Sequence, residues 1–278
     1  MIEGFDIGAF VRATLAEDLG PGVDVTSEAV IPADARFDAL MATRDAITVA
    51  GLDIAAAFFR HLDPAATIEP LVEDGMRVSS STGLMRINGL ARALLTAERS
   101  ALNTVQHLSG IATMTSLYVD RIAGTGAVLL DTRKTLPGLR VLEKYATRMG
   151  GARNHRMGLW DAAMIKDNHV AVAGDVAEAV RRARTAGIAE IIVEVDRVDQ
   201  IEPAISAGAT RLLLDNMPGT VLRDAIGLIN GRVPAEASGG VSLETIRDIA
   251  GTGVDFISVG RLTQSAPAAD IGLDFALA

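Results

Sequence analysis

The first periodic stretch runs from Asp6 to Asp18 and places Ile7, Phe10, Val11 and Leu15 on one helical face, with Asp6 as a candidate N-cap and Gly20-Pro21-Gly22 as a stop. It predicts an amphipathic helix. Residues 36–49 show mixed alternation that suits a strand, residues 52–62 read as a helix, and residues 70–84, with Asp74-Gly75, read as a turn with short strands. Residues 91–114 then carry Leu94, Leu95, Ala101, Leu102, Val105 and Leu108 at helical spacing, threaded with Glu98, Arg99, Asn103, Gln106 and His107. So polar a helix suits a boundary position. From residue 127 the rhythm changes. Short apolar runs at 127–130, 163–165, 191–195, 211–214, 233–235 and 256–259 alternate with helix-like stretches at 176–186, 198–207, 221–229 and 243–250. Strands alternating with helices in this way mean consecutive βα units and a parallel sheet. No strand is followed by GxGxxG and no GxxxxGK[ST] occurs, so the dinucleotide and P-loop fingerprints are absent and a barrel is favoured over an open sheet.

Composition narrows the class. A chain of 278 residues makes one large domain or two small ones, and with 49% apolar residues it is expected to fold. Having no cysteine, it has no disulfide, thiolate metal site, iron–sulfur cluster or cysteine nucleophile, and a reducing cytoplasm is the expected setting. No apolar run approaches the ~20 residues of a membrane span, and the first twenty residues carry four acids against one arginine, unlike a secretory signal. A net charge of -9 argues against nucleic acid as a partner. The charge is uneven, however. Residues 131–169 hold eight Lys/Arg against four Asp/Glu, a cationic island in an acidic chain that suits a pocket for a small anion.

In an α/β barrel the reacting groups stand at the carboxyl ends of the strands. Those tips are Asp131-Thr132-Arg133-Lys134, Lys166-Asp167-Asn168, Glu194, Asp215-Asn216, Ser238-Gly239-Gly240 and Gly260. Arg133 and Arg156 offer planar forks that match carboxylates, while Lys134 and Lys166 are point charges suited to phosphate or a developing anion. Ser238-Gly239-Gly240 is expected to open a helix whose free N–H groups bind phosphate. Glu194 and Asp215 suit either ribose hydroxyls or hydrated Mg2+. His61 and His107 read as structural, His155 as a pocket candidate through its neighbours, and Trp160 and Tyr145 as packing residues. No histidine/acid spacing marks a zinc site.

Several long motifs then fall into order. They are Glu98 to Asn103 (ERSALN), His107 to Thr113 (HLSGIAT), Asp131 to Arg140 (DTRKTLPGLR), Asn154 to Leu159 (NHRMGL) and Ile165 to His169 (IKDNH). Glu194-Val195-Asp196, Leu214 to Met217, Glu236 to Gly240 and Gly253 to Gly260 follow them, and Glu17 to Gly20 and Asp24 to Thr26 precede them. Together they resemble the quinolinate phosphoribosyltransferase family over nearly the whole chain. The resemblance implies an α/β protein with an N-terminal α/β sandwich domain, residues 1–102, to which the C-terminal tail 264–278 returns. It implies an incomplete, open α/β barrel of TIM-like type over residues 103–263. It also implies transfer of phosphoribosyl from phosphoribosyl pyrophosphate to quinolinate, with loss of CO2, to give nicotinate mononucleotide, and it implies use of Mg2+.

Carried over residue by residue, the resemblance assigns the two quinolinate carboxylates to Arg133, His155, Arg156 and Lys166, with Arg99 entering from a second subunit of a homodimer or higher homo-oligomer. It assigns phosphoribosyl pyrophosphate and its metal to Lys134, Glu194, Asp215, Ser238, Gly239, Gly240 and Gly260, counts Thr132 among the substrate-binding residues, and makes Lys166, Glu194 and Asp215 the catalytic group. Glu194 and Asp215 would meet the metal through water and the pyrophosphate. Arg261 and Gln264 depart from the family's usual alanine and histidine, and Ala152 stands where glycine is common. Two other readings share these residues: a Schiff-base aldolase built on Lys166, and a non-catalytic sensor of phosphorylated sugars. A family relative tied to molybdenum transport lacks parts of the Arg-Lys-Thr and Asn-His-Arg motifs that are intact here.

Overall fold

The computed structural model describes residues 2–276. It opens with α1 (Ile7–Leu19), α2 (Val25–Val30), β1 (Arg36–Thr43), β2 (Ile47–Thr48), α3 (Leu52–Leu62), β3 (Thr67–Pro70), β4 (Arg77–Val78), β5 (Gly83–Leu90) and the long α4 (Ala91–Arg121). It continues with β6 (Val128–Leu130), α5 (Arg140–Met149), β7 (Ala163–Ile165), α6 (Asp167–Ala173), α7 (Val176–Thr185), β8 (Ile191–Val195), α8 (Ile201–Ala207) and β9 (Arg211–Asp215). Last come α9 (Gly219–Ile229), β10 (Ala235–Ser238), α10 (Ile246–Ala250), β11 (Phe256–Ser258), α11 (Arg261–Gln264) and β12 (Ile271–Ala276). The chain divides into two compact units. One comprises Met1–Ser116, Val141–Gly151 and Ser265–Ala278; the other comprises Leu117–Arg140 and Ala152–Gln264. The first unit thus takes in 103–116 and 141–151 beyond the 1–102 read from the sequence, and its tail segment starts at Ser265, with Gln264 in the second unit.

The first unit is built on an antiparallel sheet of order β12-β1-β5-β3. Alternation along β1 turns Ala39, Met41 and Thr43 inward, and Met41 lies opposite both Met85 and Leu273. The tail strand β12 completes that sheet, which ties the two ends of the sequence together. Phe58 and Phe59 on α3 are fully buried, and each such side chain contributes about 1.5–3 kcal/mol. On α4, Gly110 is there for a close approach: a Cβ would fall 2.1 Å from the Pro267 carbonyl oxygen. The buried face of α5 includes Glu143, Lys144 and Thr147.

The second unit is a six-stranded parallel sheet of order β6-β11-β10-β9-β8-β7, flanked by helices. Among the described residues β6 and β7 do not pair with each other, so the sheet is the incomplete barrel; the outer edge of β6 takes only the single bridge Leu130–Arg153. Two expected elements are corrected. The run 233–235 becomes β10 at Ala235–Ser238, since Pro234 has no N–H to give to a ladder. The helix expected at 243–250 begins only at Ile246. Among the described residues no helix is long and apolar enough to cross a membrane.

Candidate active site

Side chains alternate across a strand, so each strand sends every second residue into the barrel. At the carboxyl ends this gives two tiers around a cavity of about 730 Å3 that lies wholly within the second unit. Lys166, Asp215, Ser238 and Gly260 form the upper tier; two positions earlier on the same strands, Met164, Leu213, Glu236 and Ser258 form the floor. The floor is apolar under β7 to β9, where Met164 packs on Ala162, Ile192 and Leu213. Under β10 it holds a fully buried carboxylate, Glu236.

One wall is cationic. Asp131, fully buried at the end of β6, accepts from the Asn154 amide at 2.6 Å and from the His155 backbone N–H at 2.8 Å. It thereby fixes the segment that carries Arg156. The His155 Nδ1 accepts the Arg156 backbone N–H at 2.7 Å, and the Arg156 guanidinium donates to the Ala162 carbonyl at 2.9 Å. Burial, and next the charge of Arg133, lower the Arg156 pKa from its ordinary value. Two guanidinium groups are therefore held close at a cost that an anion between them would relieve. Arg133 also keeps a buried Nε with no acceptor among the described residues. The Lys166 ammonium stands at the end of β7 against the Glu194 carboxylate of the neighbouring strand β8.

The opposite wall is built for close backbone approach. Gly239 has φ +91° and Gly240 φ +60°, and a Cβ on Gly239 would fall 2.1 Å from the Asn216 Oδ1. Asn216, itself at φ +54°, donates its backbone N–H to the Ser238 carbonyl at 2.9 Å and its amide to Asp215 at 2.6 Å. The glycine pair thus forms a left-handed turn and does not open a helix as expected, because Gly-Gly favours positive φ and α10 starts several residues later. Beside it, a Cβ on Gly260 would meet the Lys134 Cδ at 2.7 Å. The Lys134 backbone is held by Thr132, whose Oγ1 accepts its N–H at 3.1 Å, and by Thr263, whose hydroxyl donates to its carbonyl at 2.7 Å.

A cationic wall facing strand-end carboxylates and a glycine turn can hold an acid on one side and a phosphorylated sugar on the other. Comparison with known proteins places this arrangement. The models of the N-terminal and C-terminal domains of quinolinate phosphoribosyl transferase match residues 24–109 and 111–274. The chain belongs to that family. It is 45% identical to the nicotinate-nucleotide pyrophosphorylase [carboxylating] of Mycobacterium leprae, over 95% of each chain. It is 40% identical to the chloroplastic protein of that name from Arabidopsis thaliana, over 97% of this chain and 82% of that one. Among solved structures, the nicotinate-nucleotide pyrophosphorylase of Francisella tularensis superposes with a TM-score of 0.93 at 39% identity, covering 97% of this chain and 96% of that one. That of Ehrlichia chaffeensis gives a TM-score of 0.94 at 35% identity, covering 98% and 100%.

Within this quinolinate phosphoribosyl transferase chain, Thr132, Arg133, Lys134, His155, Arg156, Lys166, Glu194, Asp215, Ser238, Gly239, Gly240 and Gly260 all line the one cavity. Arg99 lies on α4, in the first unit, and is not among those lining residues. Sequence reasoning passed over Glu236, although it sits two residues before Ser238 on the same inward face and period-2 counting would have found it. Arg261 and Gln264 line the cavity too. Trp160, expected to pack, is 81% exposed, its ring lying where a Gly158 Cβ would be. Tyr145 does pack, donating its hydroxyl to Asp74 at 2.6 Å, and His107 meets Glu143 at 2.9 Å. His169 closes the start of α6, its Nδ1 accepting the Lys166 N–H at 3.0 Å.

Proposed function

We propose that this chain transfers phosphoribosyl from phosphoribosyl pyrophosphate to quinolinate and decarboxylates the adduct, yielding nicotinate mononucleotide, pyrophosphate and CO2. The observation that carries the reading is the single cavity in which Arg133, Arg156 and Lys166 face Glu194, Asp215 and the Gly239-Gly240 turn. Two guanidinium forks and an ammonium answer a dicarboxylate; a turn without Cβ atoms, with Lys134 beside it, answers phosphate.

The C1–O bond to pyrophosphate breaks with its electron pair going to the leaving group, and Lys134 meets that charge. Positive charge left on the sugar is met by Glu194 and Asp215. The pyridine nitrogen, held in line by the arginines, forms the new bond to C1. Now quaternary, that nitrogen stabilises by its positive charge the carbanion left on the neighbouring ring carbon when the carboxylate departs as CO2, and a proton then closes that carbon. Lys166, steered by Glu194, is placed to steady that carbanion or supply the proton. Mg2+ belongs to this reading. The described residues contain no cluster of three metal-binding side chains, and a strand-end pair of carboxylates suits an ion held by one or two acids and substrate phosphates. Glu194 and Asp215 would hold it, and it would neutralise pyrophosphate charge.

Arg99 of a second copy completes the carboxylate site, so the active unit is a homodimer or larger; the family resemblance of the segment around Arg99 supports this. A cytoplasmic setting suits a chain without cysteine. Quinolinate labelled with 13C in the carboxyl group next to nitrogen tests the reaction. Labelled CO2 should form only when phosphoribosyl pyrophosphate and Mg2+ are present. Release without the sugar donor, or none with it, would refute the proposal.

A further inference from the structure

Below the cationic wall a buried carboxylate on the cavity floor, Glu236, joins His155 to Arg211. Glu236 is fully buried in the middle of β10, between Leu213 of β9 and Phe256 of β11 in the register. A carboxylate in that position needs partners. Its Oε2 lies 3.4 Å from Arg211 Nη1 and 3.3 Å from His155 Nε2. Arg211 is anchored independently, 3.0 Å from Glu190 and with its guanidinium 4.7 Å from the centre of the Phe256 ring. The negative charge is therefore held in place from one side and presented to the histidine on the other. Burial pushes the Glu236 pKa up, but contacts with His155, Ser258 and Arg211 outweigh it and the net shift is downward, so the group stays ionised.

His155 has no freedom in how it answers. Its Nδ1 accepts a backbone N–H, which requires a lone pair there, so in the neutral ring the proton sits on Nε2, the nitrogen facing Glu236. A proton on Nδ1 would instead confront the Arg156 N–H at 2.7 Å. The ring is 8% exposed, and its Nε2 faces Glu236 at 3.3 Å as a charge contact outside hydrogen-bond geometry.

We infer that Glu236 is a positioning residue for the quinolinate site: it holds His155 as the Nε2–H tautomer, His155 Nδ1 then anchors the backbone of Arg156, and Arg156 meets the substrate carboxylate. His155 thus serves recognition through Arg156 and does not donate its own N–H to the ligand. This rests on the catalytic reading of the cavity, and the test separates the two.

The first measurement is the 15N–1H correlation spectrum of 15N-histidine-labelled wild-type protein at neutral pH, with the His155 signal assigned by its loss in His155→Gln. The expected pattern is a protonated Nε2 and an acceptor-type Nδ1. An Nδ1–H or doubly protonated ring overturns the inference, whether or not the protein turns over quinolinate; an inactive protein with the Nε2–H pattern would count against the catalytic reading alone. The second measurement is steady-state kinetics of Glu236→Ala and Glu236→Gln, with thermal melts to confirm folding. Glu236→Ala should raise KM for quinolinate about tenfold or more while KM for phosphoribosyl pyrophosphate stays within about twofold. Glu236→Gln, which keeps an acceptor oxygen at the same reach, should fall between alanine and wild type. A Glu236→Ala protein with unchanged quinolinate KM, or with both KM values raised alike, overturns the assignment.

Discussion

Gly260→Ala separates the phosphate side of the site from the carboxylate side with one methyl group. Gly260 has an ordinary backbone conformation, so alanine introduces no strain of its own. Its Cβ would stand 2.7 Å from Lys134 Cδ and 3.5 Å from the Nζ, and such a contact has to be relieved. The Lys134 backbone cannot yield, being fixed through Thr132 and Thr263, so the side chain must swing away. An off-rotamer or re-routed lysine costs about 0.5–1.5 kcal/mol, and the thermal midpoint should therefore move by only a few degrees. Losing a charge-assisted contact to phosphate costs about 1.5–3 kcal/mol, equivalent to about 10–100-fold in affinity. The assay is steady-state kinetics with each substrate varied in turn. KM for phosphoribosyl pyrophosphate should rise by that factor while KM for quinolinate holds. An unchanged donor KM, or an equal rise in both, would refute the reasoning that Lys134 serves the phosphate side and that Gly260 makes room for it.

Gly239→Ala should destabilise by about 2–4 kcal/mol, because alanine must take up φ +91° and also overlap Asn216, and urea melts will show it; a midpoint within error of wild type would refute this. The Glu236 carboxylate has its pKa lowered in the folded protein, so its stabilisation is present above the unfolded value of about 4.3 and is lost as pH falls through the folded one. The stability of wild type relative to Glu236→Gln should therefore hold down to about pH 5 and decline as the pH is taken below about 4, and a gap that stayed constant or widened there would contradict the assignment. Mixing Arg99→Ala with Lys166→Met, each of low activity alone, should restore turnover by forming hybrids with one intact site. No recovery after verified subunit exchange would exclude a cross-subunit role for Arg99.

The parallel half of the fold was legible because its strands are short apolar runs set between helices, and the tips of those runs carry the charged and glycine residues that line the cavity. What escaped has physical causes. The inward face of α5 mixes Glu143, Lys144 and Thr147 with Leu142 and Ala146, and α6 buries no residue at all and so shows no apolar stripe. Pro234 displaced β10 by removing a donor from its expected start. Glu236 was hidden among alanines, its charge suggesting a surface until the register turned it inward beside His155. Trp160 misled in the other direction, a large aromatic that lies on a glycine at the surface. The role of Arg99 is written in no local pattern, because it depends on a second copy.

The most direct test of a dicarboxylate site is acceptor choice: kcat/KM for nicotinate mononucleotide formation with quinolinate and with nicotinate, under saturating phosphoribosyl pyrophosphate and Mg2+. A cavity with two guanidinium groups and the Lys166 ammonium on one wall should turn over quinolinate by a wide margin and leave nicotinate nearly untouched. Equal use of the two acids, or preference for nicotinate, would contradict it.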